Sequence, residues 1–149
     1  MSRDDALITY IPADAVAKLE EPSVIISIKG KHNDRPAIDP KHTVFHLDFD
    51  VGDWARECDA GLKTEQIDAL LKFVESVKPR DIFIHCTEGK CRSYTIAKLL
   101  RSRYRDEYYL DHHKLSDSGQ WLDRHTCNTW NNYMESIDMQ MLRAANMPL

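Results

Sequence analysis

The chain has 149 residues, of which 42% are hydrophobic and 30% charged, with a formal net charge of -4. That length fits one domain around a single core, residues 1–149, and the acidic balance excludes recruitment of nucleic acid or an anionic membrane by overall charge, so any basic site has to be local. No apolar run approaches the roughly 18 residues of a transmembrane helix, and Met1 to Asp5 is polar, unlike a secretory signal, so a cytoplasmic protein is expected.

Short β-type runs fall at Ala6–Tyr10, Val24–Ile28, Val44–Phe49 and Ile82–His85. A short helix is expected over Ala13–Leu19 behind Pro12, closed by Glu21-Pro22. Lys31 to Lys41, with Pro36 and Pro40, reads as an exposed loop. From Thr64 to Val77 the apolar residues Ile67, Leu70, Leu71 and Val74 recur at helical spacing, with Thr64 the expected cap. Ile82 to Ile84 is unbroken and apolar, as a strand buried on both faces should be. Ile96, Leu99 and Leu100 then mark one face of a helix running to about Arg103. Asp106 to Thr126 has no clear period, whereas Trp130, Tyr133, Met134, Ile137 and Met141 resume a helical stripe, read as core. These elements predict an α/β fold with a central, mostly parallel sheet flanked by helices.

Chemistry concentrates in HCTEGKCRS, residues 85 to 93, where a strand turns through a loop into a helix. A helix start offers unpaired N–H groups and the positive end of its dipole, so the main chain there can bind an oxyanion. Thr87, Glu88, Gly89, Lys90, Cys91 and Arg92 would form such a cradle. Gly89 allows the curl, and the Arg92 guanidinium forks onto two phosphate oxygens. Cysteine at a helix start beside cations is favoured as thiolate, which makes Cys86 the candidate nucleophile toward a bound phosphate monoester. Ser93 can donate a hydrogen bond to its sulfur as it leaves, and His85 can fix the loop rather than act as a base.

His85, Cys86, five further residues, Arg92 and Ser93 resemble the HCx5R(S/T) signature of the cysteine-dependent protein tyrosine and dual-specificity phosphatases, and the small, atypical dual-specificity kind in particular. The likeness covers about residues 24–103. It implies a dual-specificity-phosphatase-like fold and hydrolysis of phosphotyrosine, and of phosphoserine or phosphothreonine, in proteins through a cysteinyl-phosphate intermediate. No cofactor is implied. The family also uses an aspartate general acid on a separate loop. HLDFDVGDW offers Asp48, Asp50 and Asp53; strand alternation points Asp48 and Asp50 the same way, and Asp50, nearer the break at Gly52, is the first choice, with Asp53 second. The chain has no WPD triplet, which departs from the larger tyrosine-specific enzymes.

Cys91 is placed like the second cysteine in the CxxxxCRS loop of the low-molecular-weight tyrosine phosphatases, where it can form a disulfide with the nucleophile. It is therefore a candidate redox partner for Cys86. Four cysteines, at 58, 86, 91 and 127, are too sparse for a disulfide scaffold, and the 86/91 spacing is not CxxC. His112, His113, His125 and Cys127 match no familiar ligand spacing, so no metal is assigned. The expected partner is a phosphorylated protein, without membrane or nucleic acid. Two other readings stay open: a phosphate-binding module without turnover, and the same chemistry on RNA 5' phosphates or phosphoinositides.

Overall fold

The computed structural model describes residues 6–31, 33–52, 60–87, 90–111 and 120–146. Strand β1 (Ala6–Pro12) runs into a 3-10 turn (Ala13–Lys18), followed by β2 (Val24–Ser27), β3 (Thr43–His46), α1 (Thr64–Val77), β4 (Ile82–Cys86), α2 (Arg92–Arg103), β5 (Tyr108–Asp111) and α3 (Arg124–Asn146). The five strands form one sheet in the order β3-β2-β4-β1-β5, and every pairing is parallel. A parallel sheet needs crossover connections that cover its faces, which is why the central strands read as apolar runs rather than as alternation. The fold is thus α/β, a parallel sheet flanked by helices.

The register explains why the quoted loop has a fixed origin. Strand β4 lies between β1 and β2, and at its last two residues His85 faces Ile11 and Ser27 while Cys86 faces Pro12. Main-chain bonds continue past the strand end: Ile28 N–H donates to the His85 carbonyl at 3.0 Å, and Ala13 N–H to the Thr87 carbonyl at 3.2 Å. Cys86 therefore emerges at the carboxyl ends of the strands, where open α/β sheets place their ligands. On one face Ile67, Leu70 and Val74 of α1 pack with Ile96 and Leu100 of α2 and with Trp130 of α3 in the main core. Burying each aliphatic side chain of this kind contributes about 1.5–3 kcal/mol. On the other face Ile11, Ala15, Val16 and Ile25 form a smaller core.

Several expectations change in detail. The helix after Pro12 is a 3-10 turn. Helix α1 is capped not by Thr64, its first residue, but at Lys63, whose N–H donates to Gln66 Oε1 at 2.9 Å. Strand β3 stops at His46 rather than Phe49. The 31–41 loop is not wholly exposed, because Ile38 packs on the smaller core and Arg35 reaches Ser27. Strand β5 was not legible: Tyr-Tyr-Leu-Asp has no alternating pattern, and it joins the sheet edge through β1 while buried Tyr108 donates its hydroxyl to the Arg80 carbonyl at 2.6 Å. The stripe on α3 is core as read at Trp130, with Tyr133 and Met134 packed against it. Among the described residues no helix is long and apolar enough to cross a membrane.

Candidate active site

Four segments far apart in sequence converge at the carboxyl end of β4. A cavity of about 290 Å³ is lined by Cys86, Thr87, Lys90, Cys91 and Arg92 of the loop, Asp50 and Val51 of the segment after β3, Asn33, and Trp121. Cys86 is 2% exposed, so its sulfur has access only from this cavity side. Its thiol donates to Ser93 Oγ at 3.2 Å. That contact follows from local geometry: Cys86 ends the strand, Arg92 and Ser93 open α2, and the helix is seated by Thr95 N–H donating to the Cys91 carbonyl at 2.7 Å. Arg92 is itself mostly buried; its Nη2 donates to Thr87 Oγ1 at 3.2 Å, and its Nη1 lies 3.9 Å from Asp50 Oδ1. Glu88 and Gly89, at the middle of the loop, lie outside the described residues, as does Asp53.

The two described aspartates of the acid segment separate clearly. Beyond β3 the main chain keeps pairing, with Leu47 N–H on the Ser27 carbonyl and Phe49 N–H on the Lys29 carbonyl, so buried Leu47 and Phe49 alternate with Asp48 and Asp50, which nevertheless take different environments. Asp48 is 44% exposed and pairs with Arg35, whereas Asp50 is 17% exposed and faces Arg92. Asp50 is held by three elements. Its Oδ2 accepts from Lys31 N–H at 3.0 Å, its N–H donates to the Ala60 carbonyl at 2.8 Å, and its side chain crosses Gly30. A Cβ at position 30 would lie 1.9 Å from Asp50 Oδ1 and 2.7 Å from Arg92 Nη1. Glycine is needed there because carboxylate and guanidinium both pass over its α-carbon.

His85 sits beneath the loop in a buried polar chain. Arg35 Nε donates to Ser27 Oγ at 2.8 Å, and Ser27 Oγ lies 2.6 Å from His85 Nε2. The Ser27 hydroxyl can accept from Arg35 and either accept from or donate to His85 Nε2, while His85 Nδ1 is buried without a hydrogen-bond partner among the described residues. Burial pushes the His85 pKa down to about 4, opposed by a main-chain interaction at Cys86 and reinforced by Arg35 and Arg92. A neutral, buried imidazole bonded to Ser27 is placed to brace the strand end beneath the loop.

Cys91 is buried and, like Cys86 and Cys127, not in a disulfide. Burial first, then the Asp123 carboxylate, pushes its thiol up to about 11, against a smaller downward pull from Thr95. It is therefore a protonated, slow nucleophile at neutral pH.

Sequence reasoning missed the residues that lock these parts together. Asp123 is nearly buried and caps α3: its Oδ2 accepts from Thr126 N–H at 2.9 Å and Thr126 Oγ1 at 2.7 Å. The same carboxylate accepts from Gly52 N–H at 3.2 Å through Oδ1, and Asp123 N–H donates to Thr95 Oγ1 at 3.1 Å. One residue thus ties the segment holding Asp50 to α2 through its main-chain N–H and to α3 through its carboxylate. The aspartate with threonine three residues on, at the head of a helical stripe, was a readable capping signal. Gly30, Asn33, Arg35 and Ser27 carried no comparable signal, because their roles come from contacts across the sheet. Among the described residues no group of three or more His, Cys, Asp or Glu side chains is placed to hold a metal. Comparison with protein-family models, curated proteins and solved structures found no match to this chain.

Proposed function

We propose that this protein is a phosphatase of the cysteine-dependent type, similar to the small dual-specificity phosphatases, acting on phosphate monoesters in phosphorylated proteins. The observation that carries the reading is one cavity lined together by Cys86, Arg92 and Asp50, with Ser93 on the far side of the sulfur. In the first step the Cys86 sulfur attacks phosphorus, an S–P bond forms, and the ester P–O bond breaks. Asp50, as carboxylic acid, gives its proton to the leaving oxygen. Arg92 and the main-chain N–H groups at the start of α2 bind the equatorial oxygens as charge spreads onto them. In the second step water attacks the phosphocysteine, Asp50 takes a proton from that water, and the S–P bond breaks to release inorganic phosphate. Ser93 Oγ then donates to the departing sulfur, reversing the direction of the bond it makes with the thiol. His85 and the Ser27–Arg35 pair hold the strand end during both steps.

Hydrolysis of a generic aryl phosphate near pH 6 tests this. The wild type is expected to turn over and Cys86→Ser to lose about 1,000-fold or more, with a phosphocysteine trapped on Cys86 by rapid acid quench. Full activity in Cys86→Ser would end the mechanism. Wild-type binding of phosphate without hydrolysis would make the cradle a recognition module instead.

A further inference from the structure

Trp121 is a second, independent feature of the cavity. Its residue is 52% exposed, among the few large hydrophobic side chains so placed in the described residues, yet it lines the same cavity as Cys86 and Arg92. An exposed indole on a loose segment would be unremarkable. Here the main chain is fixed: the Trp121 backbone N–H donates to the Lys90 carbonyl of the loop at 3.0 Å, and two residues on, Asp123 is bonded to Thr95, Thr126 and Gly52. The ring stands on a backbone strap anchored to the phosphate-binding loop and to the first turn of α2. A large aromatic surface carried on an anchored main chain at the mouth of an anion site gains apolar contact when covered, with only two side-chain torsions to order.

We propose that Trp121 is the specificity-determining residue of this site and selects phosphate monoesters whose leaving group is a flat aromatic ring, the phosphotyrosine class, over alkyl esters of the phosphoserine class. This rests on the phosphate site described above. The loop holds the phosphoryl group, and the indole covers the face of the ring carried by the ester oxygen. Val51, also at the cavity, adds apolar surface, while Asn33 and Lys90 supply polar contacts at the rim.

The test measures binding, so that it does not depend on turnover. Phenylphosphonate and methylphosphonate are titrated calorimetrically into wild type, Trp121→Ala and Trp121→Phe, with inorganic phosphate as a third probe. Wild type is expected to prefer the phenyl compound. Trp121→Ala should lose about 3- to 10-fold in affinity for it, with methylphosphonate and inorganic phosphate unchanged, and Trp121→Phe should recover most of the loss. An equal fall for all three anions would show that Trp121 only supports the loop and would overturn the proposal, as would an unchanged phenyl preference in Trp121→Ala. Absence of binding by all three anions to the wild type would overturn the phosphate site itself and the proposal with it. Aryl-selective binding without hydrolysis of the matching esters would remove the catalytic reading and leave the role of Trp121 standing.

Discussion

The proposed nucleophile and the proposed acid are built in opposite ways. Cys86, Arg92 and Ser93 lie within one strand–loop–helix unit, and their mutual geometry follows from where β4 ends and α2 begins. Asp50 lies in a segment without regular structure and takes its position from Gly30, Lys31, Ala60 and, through Gly52, Asp123. A local unit carries its chemistry in its spacing. A remote acid depends on contacts made across the molecule, and is therefore the part most easily moved by distant substitutions.

The sharpest way to break this contrast is to exchange the aspartates. Asp50→Asn is expected to lower kcat for an alkyl phosphate, whose leaving group needs protonation, by about 100- to 1,000-fold. Asp48→Asn should stay within a few-fold, because Asp48 pairs with Arg35 rather than facing the cavity. The reverse result would reassign the acid. Next comes Gly30→Ala. The new methyl meets only the far ends of the Asp50 and Arg92 side chains, which can swing away, so the fold should survive. Catalysis should fall about 10- to 100-fold through misplacement, with little change in the urea midpoint; a stability loss without a rate loss would contradict the close-approach role.

The local unit has its own signature, in pH. His85 has a folded pKa of about 4 against 6.5 for the free imidazole. Between those values the unfolded chain binds the extra proton, so stability rises with pH across this window. The contribution of keeping His85 neutral is complete above about 6.5 and is lost as pH falls toward 4, on the order of 2–3 kcal/mol. Urea unfolding at pH 7 and pH 5, for wild type and His85→Asn, measures it: the variant should show the shallower dependence. The smallest effect expected is at the capping residue. Asp123→Ala removes an N-cap and should cost about 1–2 kcal/mol, and the rate should fall alongside, because Gly52 and the acid segment lose their anchor. An unchanged rate would separate the cap from the site.

Legibility tracks the same contrast. The strands β1, β2 and β4 and the helices α1 and α2 were readable because apolar runs and helical periodicity report burial directly. Alternation places Asp48 and Asp50 alike, and buried Leu47 and Phe49 keep that pattern beyond the end of β3, so the choice of Asp50 rested on its nearness to Gly52. The fold adds a distinction that alternation cannot make, the approach of Asp50 to Arg92 over Gly30. Strand β5 escaped because an edge strand joined through one neighbour needs no alternation of its own.

The sequence by itself determined the chemical unit: a buried strand ending in His85-Cys86, a loop, and a helix opening with Arg92-Ser93, since neighbours in the chain remain neighbours in space. Tertiary structure alone decided which aspartate meets that unit, why a side chain at position 30 would displace Asp50 and Arg92, and that Trp121 stands at its mouth on a strap anchored by Lys90 and Asp123. Those facts depend on hydrogen bonds and close approaches between segments separated by whole strands and helices, and no local pattern of residues encodes such distances.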